Sequence, residues 1–226
     1  MSAGTTRPLR PADLRDTTLI VNGREHRVDF AHLIHYLRTF FDPARRVWAA
    51  LTQGDPTDLN IGTGPVWFDY DTAGLNATAG EFACFLWYQQ LHGGWLVPTY
   101  NAAALHDHPA ALTGRSLNQP HVMIAREGRH TVRISYHHEP SPARRHAIRR
   151  YHLELVRPLA SRVGITDVTE WLRPYLVLRI LGVHNLSDLA ASDAALSLAY
   201  LAEVLSPQVE LGKPLALEMA EAHARP

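Results

Sequence analysis

The chain has 226 residues, 46% of them apolar and 19% charged, with 22 Lys plus Arg against 22 Asp plus Glu and a formal net charge of +0. That length and balance suit a globular protein with a sizeable core and exclude a disordered chain, and without a basic surplus no nucleic-acid partner is expected. No apolar run reaches membrane-spanning length and no apolar stretch follows Met1, so no membrane is expected, while the single Cys84 excludes an internal disulfide and suits a reducing, cytoplasmic setting.

In chain order, residues 1–16 carry Gly, Thr, Pro and Arg without periodicity and read as a lead-in. Thr17 to Val21 is a β-type run, Asn22-Gly23 is a hairpin signal, and Arg24 to Phe30 is the return strand. Phe30, Leu33, Ile34, Leu37, Phe40 and Phe41 recur at helical spacing and predict a helix over 30–41, closed by Asp42-Pro43. Val47 to Thr52 reads as a short strand, and Gly62-Thr63-Gly64-Pro65 as the turn of a tight hairpin over 61–69. Residues 79–91 are apolar around the whole helical wheel, which predicts a central buried helix ended by Gly93-Gly94. His121 to Tyr136 forms a second hairpin around Glu127-Gly128. Ser141 caps a helix to about Val163 with Pro142 at its first position; Thr166 caps the next, and Ser187 a last one to Leu205, stopped by Pro207.

The chemistry-bearing stretch is Thr52-Gln53-Gly54-Asp55-Pro56-Thr57-Asp58-Leu59-Asn60, followed by Trp67-Phe68-Asp69-Tyr70-Asp71. An Asp, an Asn five residues on, a hairpin and another Asp is what phosphoryl transfer asks for. One carboxylate orients the attacking hydroxyl and takes its proton, while an amide and a second carboxylate offer hard oxygen ligands to Mg²⁺. A loop and short hairpin are expected to bring Asp55, Asn60 and Asp69 to one point.

These motifs resemble the catalytic loop and metal-binding hairpin of the aminoglycoside phosphotransferase and choline-kinase-like enzymes, within the protein-kinase-like fold. Their loop reads His-Gly-Asp-x-x-x-x-Asn, followed after a hairpin by Ile-Asp-[Phe/Trp]-[Asp/Glu]. The resemblance covers about residues 30–205 and implies an α+β, mainly α, kinase-like C-terminal lobe with short β-hairpins. It implies that Asp55 is catalytic, that Asn60 and Asp69 hold Mg²⁺, and that Gln53 and Asp71 are auxiliary. ATP is the implied phosphoryl donor, with no residue assigned to the nucleotide, and the implied acceptor is a hydroxyl on a small molecule or peptide.

The sequence departs from that pattern in three ways. Gln53 replaces the loop His, the Asn60-to-Asp69 separation implies a trimmed hairpin, and only 52 residues precede Gln53, with no Gly-rich phosphate loop and no Lys among them. The resemblance therefore implies residues 1–28 as linker and hairpin and 29–226 as the lobe. The N-terminal lobe would come from a partner chain or a second copy, docked on Leu19, Ile20, Val21 and Val28. A non-catalytic kinase-like scaffold, or a truncated remnant, is the alternative reading.

Other features read as structural. Asp58 suits a turn or cap, and His106-Asp107-His108 and His137-His138-Glu139 suit solvated loops. Arg144, Arg145, Arg149 and Arg150 suit a solvated helix face, Cys84 an inert buried thiol, and Trp87, Trp95 and Trp171 the core.

Overall fold

The computed structural model describes residues 17–57, 60–62, 64, 66–67, 69–101, 119–128 and 130–207. The lead-in, Asp58, Phe68 and the 106–108 triplet lie outside the described residues. About 51% of the described residues are helical and 19% are in strands, a mixed α+β chain as expected. They fall into two compact units: one holds the described residues of 17–45, Pro120–His137 and Ile180–Pro207, the other those of Arg46–Gln119 and His138–Arg179. The division does not follow a boundary at residue 28, because the N-terminal hairpin pairs with strands far along the chain.

In the first unit, β1 (Thr18–Val21) and β2 (Arg24–Arg27) form the expected hairpin. Asn22 and Gly23 both take positive φ, 47° and 83°, the geometry a two-residue turn between twisted strands requires. β7 (His121–Arg126) and β8 (Thr131–His137) form the second hairpin. The sheet order is β2-β1-β8-β7, with β1 and β8 parallel. Asn22 secures that parallel seam: its N–H donates to the Ile134 carbonyl and its Oδ1 accepts from the Tyr136 N–H, both at 2.9 Å.

Helix α1 (Phe30–Phe40) is capped by Asp29, whose side chain accepts from the His32 N–H. The last helix of this unit (Ala191–Leu205), numbered α7 below, packs on the sheet and is buried along nearly its whole length. Its start corrects the sequence reading. Ser187 bonds back to Asn185, and Ala190, with no side-chain cap, precedes the helix. Leu19 and Val21 are 1% exposed and Val28 is 6% exposed, so three of the four residues expected to dock a partner form this unit's own core.

In the second unit, β3 (Ala49–Thr52) pairs antiparallel with β6 (Gly74–Ala77), a strand the sequence reading did not contain. Between them lies the expected small hairpin, β4 (Ile61–Gly62) and β5 (Val66–Trp67). Helix α2 (Thr78–Trp87) buries Phe82, Ala83, Cys84, Leu86 and Trp87. It does not end at Gly93-Gly94: it widens into a π-helical stretch, Tyr88–Leu96, and closes with α3 (Val97–Tyr100). Gly93 admits the Tyr88 ring, since a Cβ there would lie 2.3 Å from a ring carbon. The glycine serves a close approach and not a stop.

Ser141 caps α4 (Pro142–Tyr151) as expected, accepting from the Arg144 N–H. That helix passes through a π-helical turn, His152–Val156, into α5 (Arg157–Arg162). In α6 (Val168–Gly182) the capping side chain is Asp167 and not Thr166, because Asp167 Oδ1 accepts from the Glu170 N–H at 2.9 Å.

Candidate active site

β3 carries the chain into the loop at Gln53, and the loop is built around that side chain. Gln53 Oε1 accepts from the Asp55 N–H at 2.6 Å, and Gln53 Nε2 donates to the Asp69 carbonyl at 2.7 Å. One half-and-half amide thus braces both acidic segments, using the donor and the acceptor that glutamine carries together. The Thr72 hydroxyl closes the brace by donating to the Gln53 carbonyl at 3.1 Å.

Gly54 is required between the two. Its φ is +91°, and a Cβ would sit 2.3 Å from the Thr72 carbonyl oxygen. Asp69 also has a positive φ, +56°, which a non-glycine residue adopts at a cost and which recurs where function demands a particular aim.

Asp55 and Asn60 are in direct contact. Asn60 Nδ2 donates to the Asp55 carbonyl at 3.0 Å and to Asp55 Oδ2 at 3.1 Å. The other carboxylate oxygen, Oδ1, accepts from the Cys84 thiol at 3.4 Å. Hydrogen bonding of the protonated Asp69 carboxyl with Asp71, then the negative charge of Asp71 and of Asp55, holds Asp69 above the usual range. The loop and hairpin therefore bring Gln53, Asp55, Asn60, Asp69 and Asp71 into one neighbourhood, with Asn60 and Gln53 buried and Asp69 and Asp71 exposed.

Two residues of α2 belong to this neighbourhood and were not singled out for it in the sequence. Cys84 is buried against Asp55, and burial first, with Asp55 adding, pushes its thiol up to about 12. Glu81 accepts from the Thr52 hydroxyl at 3.0 Å. Burial raises the Glu81 carboxyl, opposed by bonds from Thr52 and the Gly54 backbone and by the charge of Arg179. Their spacing, 81 and 84, puts them on one helical face, the only signal the sequence offered.

Beside the loop lies a cavity of about 790 Å³, whose walls include Thr52, Gln53, Pro56, Trp67, Tyr70 and Glu81. Its aromatic floor holds Phe85 stacked on Tyr151 at 3.8 Å, with Phe82 edge-on to the same ring.

The arginine cluster is partly engaged: Arg144 bonds the Tyr88 carbonyl and Gln89 and lies over the Tyr88 ring, Arg145 pairs with Glu139, and Arg150 with Glu154. Among the described residues no three His, Cys, Asp or Glu side chains are arranged to hold a metal by themselves. No helix is long and apolar enough to cross a membrane among those residues. Comparison of the chain with protein-family models, curated proteins and solved structures found no match in any of the three.

Proposed function

We propose that the second unit carries a phosphotransferase-type site that moves the γ-phosphoryl group of ATP, with Mg²⁺, to a hydroxyl on a small molecule or peptide. The observation that carries this reading is the Gln53 brace, which ties the Asp55 N–H and the Asp69 carbonyl to one side chain across 16 residues. A turn that only reversed the chain has no use for such a link. It supports the resemblance to the kinase-like C-terminal lobe, with Gln53 doing by its amide what the family's loop histidine does.

Under this reading Asp55 orients the acceptor hydroxyl and takes its proton. Asn60 and Cys84 hold the two Asp55 oxygens and so fix the direction of the carboxylate. The donors fit Mg²⁺: an amide oxygen on Asn60 and carboxylates on Asp69 and Asp71 are hard ligands, and this ion commonly takes one or two carboxylates and completes its shell with water and phosphate. When bound, it would neutralise charge on the phosphates; Asn60 and Asp69 would hold it. A lobe covering the phosphates is supplied, in this reading, by a partner chain or a second copy.

A second reading, a non-catalytic kinase-like binding protein, is favoured by one observation: both Asp55 oxygens already accept hydrogen bonds. Calorimetry with Mg-ATP, followed by ATP turnover, separates the two. The phosphotransferase reading expects Mg²⁺-dependent nucleotide binding lost in Asp69→Asn and turnover lost in Asp55→Asn; turnover indifferent to Asp55→Asn favours the binding protein.

A further inference from the structure

We infer that the cavity beside the Asp55 loop binds a small, mainly apolar molecule with an aromatic body and a neutral or positive hydrogen-bond donor directed at Glu81. The volume, about 790 Å³, falls inside the range of about 300–1,000 Å³ usual for small-molecule sites. The walls grade from closed to open. Phe82 at the floor is 3% exposed, while Leu51, Tyr70 and Trp67 at the mouth are 84%, 62% and 37% exposed. Leu51 stands directly opposite Leu75, itself 77% exposed, across the β3–β6 pair. Apolar side chains gathered around the mouth of a cavity are what a ligand covers.

The lining also sets the ligand's charge. Among the described residues Glu81 is the one charged residue in it, and no Arg, Lys or His contributes. The Glu81 carboxylate is half-buried with one oxygen on the Thr52 hydroxyl, so a donor arriving through an apolar cavity finds a desolvated acceptor. The ring faces of Trp67, Tyr70 and Phe85 are electron-rich and repel an anion as the carboxylate does. A polyhydroxylated sugar would leave most of its hydroxyls unpaired against these walls. Gln53 and Pro56 line the cavity and flank Gly54-Asp55, so under the phosphotransferase reading this ligand is the acceptor. Its binding does not depend on that reading.

Calorimetry on the full chain in EDTA, without nucleotide, tests the cavity apart from any phosphoryl transfer. The probes are tryptophol, tryptamine and indole-3-acetate, which share one ring system and differ in charge, with glucosamine as the polar comparison. Tryptophol and tryptamine should bind, and indole-3-acetate at least about tenfold more weakly. Glu81→Gln should shrink the gap between tryptamine and indole-3-acetate to about threefold or less. Ala73→Trp, at an exposed position of the lining, should fill the mouth and weaken every indole by about tenfold or more. A folded protein that binds no indole, that holds the anion as tightly as the amine, that prefers glucosamine, or whose indole binding survives Ala73→Trp overturns the inference. If tryptophol binds while Mg-ATP binding is absent or indifferent to Asp69→Asn, the cavity stands and the phosphotransferase reading falls.

Discussion

The Cys84 thiol and the Asp55 carboxylate, 29 residues apart, meet at 3.4 Å, sulfur to Oδ1. Asn60 takes the opposite oxygen, so a helix residue and a loop residue clamp the carboxylate between them. Cys84→Ala removes one jaw. Its cost is that of one weak hydrogen bond, about 0.5–1.5 kcal/mol, and ATP turnover should fall about two- to tenfold. Cys84→Ser, which restores a donor, should recover part of the loss. The raised thiol pKa, about 12, also leaves little thiolate near neutral pH. Iodoacetamide should label the folded chain slowly and the denatured chain fast; rapid labelling of folded protein would contradict the contact.

Gly54 and Gly23 both have positive φ, but their surroundings differ. A Cβ at Gly54 meets the Thr72 carbonyl, whereas one at Gly23 meets nothing within 4 Å. Gly23→Ala should cost about 1 kcal/mol, from backbone conformation alone. Gly54→Ala should cost about 2–4 kcal/mol and disturb the loop as well. Urea denaturation of the pair checks the ranking, and equal costs would count against the close Gly54–Thr72 approach.

Half-buried Asp55 and exposed Asp69 and Asp71 gather negative charge in one place. Millimolar Mg²⁺ should therefore raise the melting temperature without nucleotide, by about 1–3 °C. Asp69→Asn should remove the shift. Asp71→Asn should raise the melting temperature in EDTA, because it relieves repulsion directly. A thermal melt of the folded wild type that ignores Mg²⁺ counts against a preformed site.

His152 is 3% exposed and its Nε2 has no hydrogen-bond partner among the described residues. Burial, with the charge of Arg157 adding, lowers it from 6.5 to about 4. The folded chain then binds fewer protons than the unfolded chain between those values. The contribution of His152 to stability is whole above about pH 6.5 and is lost as pH falls toward about 4. His152→Gln should flatten that limb of a stability–pH profile, and an unchanged slope in the variant would assign the acid sensitivity elsewhere.

Local signals were legible where a residue acts through its own backbone or side chain. Asn22-Gly23 marks its turn because both positions need positive φ, and Ser141-Pro142 opens its helix through a cap and a fixed φ. The gathering of Gln53, Asp55, Asn60 and Asp69 was readable because loop and hairpin are short. Signals that depend on a distant partner were not. Gly74-Leu75-Asn76-Ala77 has no β-branched residue and becomes a strand only because β3 lies beside it. Gly93-Gly94 reads as a stop until the Tyr88 ring fills the space, and Thr166 reads as a cap until Asp167 reaches the Glu170 N–H. Cys84 reads as inert core because nothing in its helix announces the carboxylate it faces.

The pairing of Thr18 with Thr131 has a consequence for biosynthesis. The β1–β2 hairpin leaves the ribosome early, yet a two-stranded ribbon alone is at best marginally stable in water. Its seam with β8 and its cover by α7 come from residues 131–137 and 191–205. The second unit, whose described segments are complete by residue 179, is synthesised in the interval. The hairpin is thus made before the second unit and secured after it, with Leu19 and Val21 open to solvent or to a chaperone until translation has passed Leu205. Because the two units alternate along the polypeptide, no single cut divides the gene into two self-sufficient halves.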